Sequence, residues 1–286
     1  LVLGDEALLR GEPIRSRASA KASGMFYPAP TPAAGLAALM AHSAIESNAQ
    51  NDRRRAEADA ADAVAAPYQD RVARTPPERL LTAALQRSRV GARPLLPTIK
   101  GTPAAADASV AASADPEVRL TPVYRMAQSQ RAILLDLAVH AVVHGRGGDR
   151  AFETLVRVVS DPLPEDGTAA RERWLARDGE PLEEGLVALL STAIDLAADD
   201  LSGQFDAAGA PAVAGAAGVS GAAGSAGAAG AAGATTSRLK VGDQTAYERG
   251  TVLRESCGRV TLRTLRGWVV DAPKAQPAAD CKAAAG

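Results

Sequence analysis

Between Ile133 and Val143 the apolar residues Ile133, Leu135, Leu137, Val139, Ala141 and Val143 alternate with a more mixed set, the period of a β-strand. Gly145-Arg146-Gly147-Gly148-Asp149 then has the composition of a turn. AFETLVRVVSD follows, with Val156, Val158 and Val159 favouring extended backbone. The pattern predicts an antiparallel hairpin. Because both arms are rich in branched aliphatics, at least one face needs a cover, and the next element supplies one. Leu182, Leu186, Leu189, Leu190, Ala193, Ile194, Ala197 and Leu201 recur as one buried helical stripe. Asp178 or a neighbour stands at the cap position, Pro181 lies in the first turn, and Glu183 and Glu184 sit at the positive end of the helix dipole.

Upstream, Thr31-Pro32 opens a long alanine-rich run that predicts a helix, apolar in its first half and charged from Arg53 onward, so that it leaves a core and continues into solvent. Thr75-Pro76-Pro77-Glu78 has the pattern of a capping box, and Leu80, Leu81, Ala84 and Leu85 continue it as a short helix ending near Gly91. Downstream of the amphipathic helix, Gly215, Gly218, Gly221, Gly224, Gly227, Gly230 and Gly233 fall at every third position among alanines. A collagen-like triple helix needs imino acids, which that run lacks, so it reads as a disordered Gly/Ala-rich insert. Beyond it, Val260 and Leu262 alternate with Thr261 and Arg263 after a turn at Gly258, predicting a second hairpin.

These elements give an α+β or α/β fold: a mixed or antiparallel sheet with helices packed on one side, plus the insert. The chain divides into an N-terminal segment (1–30), an α/β domain (31–206), a Gly/Ala low-complexity linker (207–236), a C-terminal β-hairpin returning to the sheet (237–273) and a disordered tail (274–286).

Composition refines this picture. Of 286 residues, 47% are hydrophobic but only 3% aromatic, so alanine makes up much of the apolar fraction and the true core is smaller than the percentage suggests. A formal net charge of -1 disfavours nucleic acid as a general partner. The two cysteines, Cys257 and Cys281, allow one disulfide and exclude a Cys-based zinc ribbon. The run from Ala33 to Ile45 is too short to span a bilayer, although that helix could lie on a membrane surface as a peripheral contact.

Candidate chemistry is sparse. Asp136, His140 and His144 are spaced by four, so on a helix they would share a face and could hold a divalent ion. On a strand the two histidines would stand roughly 13 Å apart, too far for one ion. The alternation favours the strand; the helical case would make the chain a metal-dependent hydrolase. Cys257 is the one candidate thiol nucleophile, with His42, His140 and His144 as the available bases, and there is no phosphate loop or dinucleotide fingerprint. Glu183-Glu184 and Asp199-Asp200 read as helix-end and surface charges. Arg249, Arg254, Arg259, Arg263 and Arg266 form either an anion-binding face or a solvated strand face, and Trp174 and Trp268 are either contact residues or core anchors. No catalytic or cofactor-binding residue is assigned.

Residues 75–203 combine a short helix, hydrophobic strands and RERWLARDGEPLEEGLVALLSTAIDLAADDL, in which a strand ending at Trp174 precedes a polar turn and an amphipathic helix. This arrangement resembles the α/β domain of bacterial envelope lipoproteins such as those of curli secretion and the N-terminal domain of the Tol-Pal translocation protein. The resemblance implies a non-catalytic protein of the periplasm or outer membrane. Its signal peptide and lipid-anchor cysteine would lie upstream of Leu1, and its partners would be envelope proteins or further copies of itself. It carries over no functional residue.

Overall fold

The computed structural model describes residues 2–3, 8–13, 32–91, 117–143, 150–205 and 234–276, with backbone alone for 2–3, 8, 32–46, 117, 143 and 150. The fold is α+β, with three helices and a mixed sheet among the described residues. Its strands are β1 (Val2–Leu3), β2 (Leu8–Gly11), β3 (Glu117–Met126), β4 (Ile133–Val143), β5 (Arg150–Val159), β6 (Thr235–Val241), β7 (Gln244–Glu255), β8 (Arg259–Thr264) and β9 (Val269–Pro273). They run in the order β1-β3-β4-β5-β9-β8-β7-β6, with β2 continuing the β1 position along the edge of β3. Two antiparallel meanders, β3-β4-β5 and β6-β7-β8-β9, meet at a parallel pairing of β5 with β9.

Period-two alternation sends Tyr124, Met126, Ile133, Leu135, Leu137, Val139, Val156 and Val158 to one face, where all three helices pack. The second half of α3 supplies most of the cover through Leu182, Leu186, Leu189, Leu190, Ala193, Ile194 and Ala197. At one end of β4 and β5 the other face is apolar too. Leu134 and Val159 are each 1% exposed, and they pack with Leu239, Val260, Leu262, Val270 and Ala272 of the second meander. That meander therefore curls over this face until its first and last strands meet. Leu239 bridges Lys274, and the Ala275 N–H donates to the Arg238 carbonyl.

Several sequence expectations change here. Trp174 does not end a strand; it lies in the first half of α3 (Gly167–Leu201), which is broken where Arg177, Asp178 and Gly179 take left-handed backbone angles. The break puts Pro181 in the first turn of the second half, where its missing N–H removes no helical hydrogen bond. Asp178 is in the break and pairs with Arg71 at 2.9 Å. The single C-terminal hairpin is four strands, and Thr235 and Thr236, assigned to the linker, already pair with Gly250 and Arg249. Lys274, assigned to the tail, is paired as well. Thr75 caps nothing at the start of α2 (Pro77–Arg87); its hydroxyl turns back to the Arg71 carbonyl of the preceding helix. That helix, α1 (Pro32–Ala73), exposes its charged middle but returns to the core with Ala61, Ala65, Tyr68 and Val72. The glycine run from Gly215 to Gly233 and the turn at 145–149 lie outside the described residues.

The curl of β7 depends on Gly250, which pairs with Thr235 on one side and Thr264 on the other. A Cβ there would lie 2.1 Å from the Arg263 carbonyl oxygen, so Gly250→Ala should cost about 2 kcal/mol or more. Gly258→Ala, where nothing lies within 4 Å, should stay within about 0.5 kcal/mol of the parent. Urea unfolding of both variants measures the difference, and equal midpoints would contradict this close approach of β7 and β8.

Candidate functional site

β4 places Asp136 on the sheet face opposite the helices, directly across from Arg157 of β5 and Val123 of β3. Arg157 donates to it from Nε at 2.5 Å and from a terminal nitrogen at 2.7 Å, and Arg125 adds a third bond at 3.0 Å. Glu12, just past β2, lies 3.4 Å from Arg125 and 3.9 Å from Arg157. The sheet thus holds two guanidinium groups between two carboxylates, all at least partly buried.

Burial pushes the Asp136 carboxyl up, but hydrogen bonds and charge from Arg157 and then Arg125 outweigh it and hold the group below the ordinary carboxylate range. A carboxylate held this way is a poor general base near neutral pH, and the bonds from two arginines occupy the lone pairs that a metal would need.

The metal expectation loses its helical premise, because Asp136 and His140 lie on a strand. Four residues of strand separate their Cα atoms by roughly 13 Å. His140 is exposed and faces Glu153 at 4.0 Å, whereas His144 lies outside the described residues. Among the described residues no group of three His, Cys, Asp or Glu side chains could hold a metal ion. Cys257 is disulfide-bonded, which removes it as a nucleophile; Cys281 lies outside the described residues. The side chain of His42 is likewise outside them.

A second charged centre stands where α3 ends. Asp199 is nearly buried and accepts from Arg89 at 2.9 Å and Arg254 at 3.1 Å. Asp200 accepts from Arg263 and, at 2.7 Å, from the Thr154 hydroxyl. Carboxylates oppose the dipole at a helix C-terminus, and these arginines compensate for both charges. The reading of Asp199-Asp200 as surface charge is therefore corrected. Glu183 is also engaged, by Arg79 at 2.8 Å.

The anion-binding face read from five arginines fails for three of them. Arg254 and Arg263 bind the end of α3, and Arg259 binds Asp271 at 2.6 Å and Asp161 at 2.8 Å. Arg249 and Arg266 have no ion pair among the described residues. Trp174 is a core anchor, 6% exposed, with its indole N–H donated to the Gln130 carbonyl at 2.7 Å. The Gln130 side chain takes the Tyr68 hydroxyl at 2.6 Å, and burial pushes that phenol up to about 12 against the opposing pull of Arg171. Trp268 is half-buried beneath Arg266, whose guanidinium carbon lies 5.5 Å from the ring centroid.

Sequence reasoning missed Arg125, Arg157 and Glu12 as the partners of Asp136. Alternation puts Arg125 and Arg157 on the Asp136 face once the strands are paired, but only the register makes them neighbours.

Replacing Asp136 by Ala leaves two part-buried guanidinium groups without this acceptor, a loss of about 3–5 kcal/mol by the measure of broken buried ion pairs. The folded pKa of Asp136 is depressed, so its contribution is present above the unfolded value near ~3.9 and lost as pH falls through the folded value. Stability of the parent, followed by urea melts in acid, should fall more steeply below about pH 4 than that of Asp136→Asn; parallel curves would refute the assignment. No family model, no curated protein and no solved structure matches this chain.

Proposed function

We propose that this chain is an exported, non-catalytic protein of the bacterial cell envelope, in the periplasm or associated with the outer membrane, that acts by binding other proteins in an assembly. The observation that carries the reading is the disulfide-bonded state of Cys257. Disulfides persist in oxidising compartments and are rare in the cytosol. Two further observations favour binding over chemistry. Asp136 is tied up by arginines and held below the range of a neutral-pH base, and Cys257 has no free thiol. Among the described residues no helix is long and apolar enough to cross a membrane.

The test is to express the complete gene in a bacterial host, separate envelope from cytosol, and take the mass of the mature product after alkylation without reductant. A signal-cleaved or lipidated product in the envelope fraction, with no cysteine alkylated, is the expected result. An unprocessed cytosolic protein with both cysteines alkylated would overturn the proposal.

A further inference from the structure

Among the described residues the exposed large hydrophobic side chains are Tyr247, 49% exposed, and Leu265, 61% exposed. Both lie on the outside of the C-terminal meander. β6 and β7 turn Leu239, Val241 and Ala246 inward to the second apolar cluster. Alternation therefore sends Thr236, Arg238, Lys240, Thr245, Tyr247 and Arg249 outward. Leu265 joins this row from the β8–β9 turn, where its N–H donates to the Arg249 carbonyl at 3.2 Å. Arg266 and Trp268 follow in the same turn.

The outward row carries cations and no carboxylate. Arg238 lies over the Tyr247 ring at 5.7 Å and Arg266 over the Trp268 ring at 5.5 Å, yet neither they nor Arg249 form an ion pair among the described residues. Among the described residues Lys240 donates to the Asp243 carbonyl. Nearby acids are engaged elsewhere: Asp243 with Arg131 at 2.5 Å, Glu255 with Lys274 at 2.7 Å, and Glu248 on the inward side, where its charge reaches Arg157. This contrasts with Arg254, Arg259 and Arg263, each held by an aspartate. In a chain with a formal net charge of -1, unneutralised positive charge collects where aromatic and aliphatic side chains are exposed.

From this coincidence we propose that the outer face of β6–β7, with the β8–β9 turn, docks on an anionic phospholipid surface. Guanidinium groups would meet the headgroup phosphates, Tyr247 and Trp268 would sit at headgroup level, and Leu265 would enter the acyl boundary. Exposed Leu265 separates this face from a site for nucleic acid, which rewards charge and stacking but not an aliphatic tip. The proposal does not depend on whether the chain also binds other proteins.

Flotation of the full chain with vesicles of phosphatidylcholine alone, or of equimolar phosphatidylcholine and phosphatidylglycerol, tests it. The protein should float with the phosphatidylglycerol vesicles only, less so at high salt. The triple variant Arg238→Glu/Arg249→Glu/Arg266→Glu should bind at least about tenfold more weakly. Leu265→Ser should bind roughly threefold more weakly or worse, since it removes buried apolar area without changing charge. A charge-matched control, Arg53→Glu/Arg54→Glu/Arg55→Glu on the exposed middle of α1, should float like the parent, and circular dichroism checks that each variant folds. Failure of the parent to float, equal loss in both triple variants, or tighter binding to a single-stranded oligonucleotide than to the vesicles would each overturn the proposal.

Discussion

Consecutive apolar residues at one end of the central hairpin impose the constraint on which the architecture depends. Leu134-Leu135 on β4 and Val158-Val159 on β5 put large aliphatic groups on both faces of the sheet. A layer of helices satisfies one face only, and the second must be covered as well. Toward the other end Asp136, His140, Glu153 and Arg157 share that second face with Ala138, Val142 and the half-buried Leu155, and the need for cover is weaker. The β6–β9 meander is therefore an asymmetric lid: it covers the apolar end and leaves the polar end open.

The turn between β3 and β4 keeps these layers in register. Gln130 has a left-handed backbone, and its two ends reach two helices, the amide oxygen taking the Tyr68 hydroxyl and the carbonyl taking the Trp174 indole. Next to it, Arg131 donates to the Leu163 carbonyl at 2.6 Å and to Asp243 at 2.5 Å, joining the segment after β5 to the tip of the β6–β7 hairpin. A Cβ at Gly242 would strike the Ser129 hydroxyl at 2.6 Å, so the two hairpin tips are in direct contact. One short turn thus meets helices on one side and the second meander on the other. At the far end of α3, the pairs of Arg254 with Asp199 and Arg263 with Asp200 fasten the meander again.

Periodicity within an element was legible in the chain; pairing between distant elements was not. The β4–β5 hairpin and the stripe from Leu182 to Ala197 follow from side-chain period alone, because burial is periodic wherever one face is covered. Trp174 was misplaced because three successive left-handed residues break α3: Asp178-Gly179 carries a turn signal that was read as a helix start, and Arg177 carries none. The C-terminal strands were undercounted because β7 changes partners at Gly250 and carries a bulge between Val252 and Arg254, which blurs its alternation. At the candidate site, Asp136 could be singled out, but its meaning could not. The same carboxylate is a ligand on a helix and an arginine partner on a strand, and the difference rests on residues 11 and 21 positions away along the chain.

The parallel joint between β5 and β9 also sets an order in time. β5 ends at Val159 and β9 begins at Val269, so the chain between them must be made before the joint can close. During synthesis β3, β4 and β5 can pair as soon as they emerge, and α3 can settle on their first face shortly afterwards. Leu134 and Val159 then wait, open to water, until the β6–β9 meander appears, and throughout that interval the nascent sheet presents a sticky face to any neighbouring chain. The helix-covered half of this protein can thus form early, but its protection from self-association comes only once the β6–β9 meander has been made.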